Sequence, residues 1–148
     1  MSTLRTTLRT TLTAPPYFRV LAVPAALALL ALAAVHLIDG PSSTSDQFYV
    51  GALELALAAA SAPLAVMLLA RPVPALWHVA GAMCTAALLV FIASRTVGLP
   101  GSTDDIGNWG QALGILSVAV EGAVVALAAT ALWLAPKSRD VGWQAPSP

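Results

Sequence analysis

Four stretches of this chain are apolar for long enough to cross a bilayer, and short polar breaks separate them. A crossing helix needs about 20 mostly apolar residues, because each residue rises about 1.5 Å through about 30 Å of hydrocarbon. The first stretch runs from Val20 to Ile38 and carries Pro24 and His36. The second, Phe48 to Ala70, carries Glu54, Ser61 and Pro63; the third, Pro74 to Ser94, carries His78, Cys84 and Thr85. The fourth runs from about Ala112 to Leu134 and carries Ser117 and Glu121. No stretch alternates with a strand period, and lipid cannot satisfy an open backbone, so the pattern predicts helices. The expected fold is all-α, an integral membrane four-helix bundle over residues 17–135. A flexible tail over 1–16 and a polar, disordered tail over 136–148 are expected to flank it.

The breaks predict the turns. Gly40-Pro41 and Pro100-Gly101 are turn dipeptides, and the prolines around Arg71 suit a tight reversal into a helix start. Thr44 with Gln47, and Asn108 with Gln111, have the spacing of capping boxes before the second and fourth spans.

Composition reinforces the membrane reading. The 148 residues are 58% apolar and 9% charged, with seven basic and seven acidic side chains. Soluble domains carry about 25% charge, so this chain cannot coat a water-facing surface. Disorder and a nucleic-acid partner are excluded on the same ground, since the latter needs a basic field. The single cysteine, Cys84, rules out an internal disulfide framework and any multi-cysteine metal site.

Orientation follows from basic residues in short connections. Arg5, Arg9, Arg19, Arg71, Lys137 and Arg139 share one side of the predicted topology, and Arg95 stands alone on the other. Both termini are therefore expected in the cytoplasm. Tyr17, Phe18, Trp77 and Trp133 are expected to belt the inner interface, and Phe48, Tyr49 and Trp109 the outer one. The first stretch has a rival reading as a signal peptide, with a basic start and small residues near Ala33-Ala34. It is long for one and no clean A-x-A site follows, so retention as a span is expected.

Because lipid is as apolar as leucine, helix faces that pack together are marked by small and polar residues. Gly51, Glu54, Ala58 and Ser61 form such a stripe on the second span. Gly110, Gly114, Ser117 and Glu121 form one on the fourth, and His78, Gly81, Thr85, Ile92 and Arg95 one on the third. All three are expected to face inward.

The ionisable residues carry the candidate chemistry, since a charge at the bilayer centre costs about 2.5–3.5 kcal/mol on insertion scales. Glu54 falls about 9 Å from the outer end of its helix, counting about 1.5 Å per residue. His36 and Arg95 are expected near the same boundary, rimmed by Asp39, Asp104 and Asp105. That cluster reads either as an outward-facing site for a cation, proton or polar ligand, or as a Glu54–Arg95 or Glu54–His36 pair that sets helix register. Glu121 falls roughly 15–18 Å in, near mid-bilayer. No basic residue is expected at that depth, so the acid should be neutral there. Ser117, Thr85, Ser61 and Cys84 are its expected polar neighbours. It reads as a proton-carrying or ligand-binding acid, or as a neutral packing element.

His78 reads as an interfacial histidine and Cys84 as a small buried hydrophobe. A haem held between His36 and His78 is not expected, because most of the bilayer core should separate them. Motifs for zinc hydrolysis, phosphate binding, acyl transfer and dinucleotide binding are lacking. Neither Ser61 nor Ser117 has a histidine at its expected depth, so no catalytic residue, metal or cofactor is assigned.

The stretch Ser94-Arg-Thr-Val-Gly-Leu-Pro-Gly101, followed by Trp109 and an acidic fourth span, resembles small four-span membrane proteins of high-GC bacteria. The resemblance covers about Val20 to Ala135. It implies a bacterial plasma membrane and brings no activity with it. The expected function is a non-catalytic accessory or binding component with a polar interior formed by His36, Glu54, Arg95 and Glu121. Ser61, Thr85 and Ser117 are expected to support it. The alternative is a proton- or cation-coupled transport component with Glu121 as carrier. Four short spans leave little room for a path, so that reading requires self-association; the expected partners are the lipid bilayer and a homo-oligomer or larger membrane complex. A cofactor-binding redox subunit ranks third, with Glu54 and His36 as first ligands.

Overall fold

The computed structural model describes residues 16–135, and of residues 44–46 the backbone alone. The two expected tails, and with them Arg5, Arg9, Lys137 and Arg139 of the charge count, lie outside the described residues. Four helices follow one another: α1 (Pro16–Asp46), α2 (Phe48–Ala70), α3 (Pro74–Thr96) and α4 (Ala112–Leu134). Each is long and apolar enough to cross a membrane, the make-up of a small multi-pass membrane protein. Large apolar side chains such as Leu27, Val66, Leu89 and Ile115 point outward from the bundle, as they do where lipid is the solvent.

Helix α1 runs past its expected end. Gly40-Pro41 does not turn the chain, and the helix continues to Asp46. The reason is packing. Gly40 is buried against Leu55, and a Cβ there would lie 2.9 Å from Leu55 Cδ2. The glycine lets α1 and α2 run together beyond the apolar stretch, and that contact holds the helix through Pro41. The expected capping boxes do not form either. Gln47 and Gln111 stand at the N-caps of α2 and α4 without a side-chain cap bond. Gln47 Nε2 instead donates to Gly101 O at 2.7 Å, and Tyr49 Oη to Pro100 O at 2.7 Å. These two bonds tie the 97–111 connection to the start of α2. We call this end of the bundle the loop end and the opposite one the Arg71 end.

The core is built on alanines that permit close approach, among them Ala22, Ala25, Ala26, Ala65, Ala80 and Ala128. On α2 the expected stripe is inside at Gly51, Ala58 and Ser61, with Glu54 half-buried. On α4, Gly114, Ser117 and Glu121 are inside, and Val124, Ala128 and Ala131 continue the face. Gly110 precedes the helix and is exposed. On α3 the expected face keeps Arg95 inside and is otherwise turned by about one position. His78, Thr85 and Ile92 are exposed, while Trp77, Ala80, Cys84 and Arg95 are buried. Trp77 is the cause. Its ring is fully buried with a centroid 6.0 Å from that of Phe18, itself 1% exposed. Burying that pair turns α3. Phe18 and Trp77 are thus an internal plug at the Arg71 end, not members of an interfacial belt.

Packing around the bundle is uneven. Helix α1 lies along α2 and α4, and α4 along α3, but α2 and α3 barely touch. The seam between α2 and α3 is left open toward the loop end.

Candidate functional site

A cavity of about 390 Å³ fills that seam. All four helices and the 97–111 connection contribute to its wall. Its sides are apolar, with Leu53 and Leu57 from α2 and Met83 and Val90 from α3. Its polar groups include His36, Glu54, Arg95, Ser117 and Glu121, with Asp39 and Asp105 beside them. Every principal candidate of the sequence therefore lines one space.

Helix register sets their depths. His36 lies ten residues before the end of α1 at Asp46, and Glu121 nine residues after the start of α4 at Ala112. At about 1.5 Å per residue both sit about 14 Å from the loop end of their helices. Glu54 sits about 9 Å from the start of α2 on the same count. Arg95 stands in the last turn of α3.

The matched depth brings His36 and Glu121 together. His36 Nε2 is 3.5 Å from Glu121 Oε1, and Glu121 is 2% exposed. Ser117 Oγ donates to Glu121 Oε1 at 3.0 Å and lies 3.3 Å from His36 Nε2. The hydroxyl's one proton goes to the acid, so its contact with the imidazole calls for a proton on Nε2. This overturns two expectations. Glu121 does have a base at its depth, and Ser117 does have a histidine beside it. The trio does not have the arrangement of a catalytic triad. In a Ser–His–acid triad the acid orients the histidine through Nδ1, whereas here serine and acid both meet Nε2, and Nδ1 is buried without a partner among the described residues.

Neither of the expected Glu54 pairs forms. Arg95 pairs with the Asp105 carboxylate. Its Nη2 donates to Gln111 Oε1 at 2.6 Å, and its guanidinium lies 4.9 Å from the centre of the Phe91 ring. Glu54 takes a side-chain hydrogen bond from Ser43. Arg95 therefore binds the loop end together instead of holding an acid inside. Asp105 and Gln111 were not singled out in the sequence as its partners, because they follow it by ten and sixteen residues in an irregular connection with no periodic signal.

The supporting residues divide. Ser117 belongs to the site. Ser61 is buried, and its hydroxyl donates to Leu57 O of its own helix at 2.7 Å. Thr85 is exposed and donates to Gly81 O at 2.7 Å. Both satisfy themselves within one turn and leave Glu121 alone. Cys84 is a buried free thiol, and His78 is exposed with Nδ1 2.9 Å from Pro74 O.

Gly114 decides how closely α3 and α4 approach beside Arg95. A Cβ there would lie 2.8 Å from Phe91 Cε2. Gly114→Val should therefore push the Phe91 ring out from under Arg95 and destabilise the bundle by about 1–3 kcal/mol, the usual range for overpacking. Thermal unfolding in a mild detergent reads this out, and an unchanged midpoint would mean that the ring has room to yield.

Four buried polar atoms of residues that line the cavity have no hydrogen-bond partner among the described residues: His36 Nδ1, Glu54 Oε2, Glu121 Oε2 and Arg95 Nε. Buried polar groups are nearly always satisfied, so these four stand out. No family model matches the chain, and no curated protein or solved structure does.

Proposed function

We propose that this chain is a small, non-catalytic binding component of a bacterial plasma membrane, which holds a ligand in its intramembrane cavity. The single observation behind this reading is that side chains from four helices leave His36 Nδ1, Glu54 Oε2, Glu121 Oε2 and Arg95 Nε unpartnered around one space. Its volume of about 390 Å³ is that of a pocket for a small organic molecule. The excess of basic residues on the Arg71 side supports an orientation with both termini in the cytoplasm and the cavity nearer the outer face. A chain of this size is suited to serve as an accessory to a larger membrane complex or to a second copy of itself.

The alternative, proton or cation coupling with Glu121 as carrier, draws on the His36–Ser117–Glu121 contacts deep in the helices. Within one copy the cavity reaches only partway along the helices, so that reading requires self-association.

Plugging the cavity tests the binding reading. Ala87 lines it from α3, and Ala87→Trp should fill the seam with the fold intact. Native mass spectrometry of the purified protein should show a small-molecule adduct on the wild type and none on the variant. A bare protein mass for both, in membranes from its own host, would sink the reading.

A further inference from the structure

We infer that the ligand is an amphipathic organic cation, with its charged head at Glu54 and Glu121 and its apolar body in the seam between α2 and α3. The inference rests on the binding reading above and adds the chemistry of the occupant.

The head follows from the balance of charge. Four acids line the cavity, Asp39, Glu54, Asp105 and Glu121, against two bases, His36 and Arg95. The bases are engaged. Arg95 is held by Asp105, by Gln111 and over the Phe91 ring, and His36 lies against Ser117 and Glu121. Taking out Arg95–Asp105 and His36–Glu121 leaves Asp39 and Glu54 as the excess carboxylates, and the second oxygen of Glu121, Oε2, like Glu54 Oε2, is a buried acceptor without a hydrogen-bond partner among the described residues. A cleft of one sign with low-dielectric walls concentrates the opposite charge, and a charged donor makes the stronger hydrogen bond to a carboxylate. An anion would meet the same acids, and the one guanidinium, although its Nε has no partner among the described residues, already has its charge paired with Asp105.

The body follows from the walls. Leu53, Leu57, Met83 and Val90 would leave a small hydrated cation facing hydrocarbon on two sides. A metal ion fits no better, because no three His, Cys, Asp or Glu side chains among the described residues converge to hold one. An apolar body covers those walls, and the open seam gives it a way in sideways from lipid. The unpartnered acids then lie about 9 and 14 Å from the loop end, counted along their helices, within reach of a head whose body stays in the seam.

Tetraphenylphosphonium and tetraphenylborate have nearly one shape and opposite charge, and they separate the possibilities. Equilibrium binding is measured for each to the full-length protein in lipid nanodiscs, with empty nanodiscs as baseline. The phosphonium carries no hydrogen-bond donor and so reads the charge of the cleft alone; it should bind saturably and at least about tenfold more tightly than the borate. Glu54→Gln and Glu121→Gln each remove an attracting carboxylate and should each weaken it by about tenfold, and Ala87→Trp should abolish it. Ala87→Trp leaves every acid in place, so it also serves if a glutamine variant fails to assemble. Equal binding of both ions, blocked by Ala87→Trp and insensitive to the glutamine variants, would overturn the cation inference and keep the binding reading. Signal no higher than in empty nanodiscs for both ions would overturn the inference, and the binding reading falls with it if the purified protein also carries no adduct.

Discussion

Replacing His36 by leucine should destabilise the bundle by about 3 kcal/mol, and replacing His36 and Glu121 together by leucine should cost much less. Glu121 is 2% exposed, so the single substitution strands an acid with Ser117 as its one remaining partner. The double substitution removes both members and fills their places with side chains that a bilayer protein accommodates readily. Buried pairs behave this way elsewhere: breaking one is expensive, while exchanging both members for apolar residues is often neutral. Interhelical hydrogen bonds in bilayers average only about 0.6 kcal/mol, because the separated helices find other partners. A coupling energy well above that average would mark His36–Glu121 as a charged contact. Unfolding of both singles and the double in mixed detergent micelles supplies the cycle. If the two single effects simply add, the residues do not interact and the matched depth of α1 and α4 is without consequence.

That pairing also shows how far the sequence could be read. Hydropathy alone located the four helices, because a span is an unbroken run whose length bilayer thickness dictates. The ends of α2 and α4 fall where the apolar runs end. Helix α1 differs because a local pattern cannot register Gly40 packed on Leu55 from the next helix. The error propagated into the site. Counted from Ile38, His36 stands at the boundary beside Glu54 and Arg95. Counted from the true end at Asp46, it drops to the depth of Glu121. The candidates themselves were legible, since a charged or polar group in an apolar run stands out. Their partners were not, since pairing depends on helix length and rotation. The cavity was illegible for the same reason: it arises where α2 and α3 fail to meet, and no residue type marks a contact that is missing.

Rotation of α3 hinges on one ring, and Trp77→Ala should be the costliest single truncation in the bundle, at about 3 kcal/mol. Truncating a buried Trp in a soluble core costs about 3–5 kcal/mol, from lost transfer and from the cavity left behind. The transfer part shrinks here, because a separated helix presents its indole to lipid instead of water. The cavity part stays, since Trp77 is fully buried against Phe18, with Leu68 and Ala80 in the same core. Trp133 provides the contrast. It is 80% exposed on the outside of α4, and its removal should change stability by less than about 0.5 kcal/mol, as for other surface sites. As an aromatic belt at one interface the two would cost alike. Detergent unfolding midpoints for Trp77→Ala and Trp133→Ala distinguish the cases. A small effect at both would return Trp77 to the bundle surface, and the face of α3 that presents Cys84 and Arg95 inward would have to be redrawn.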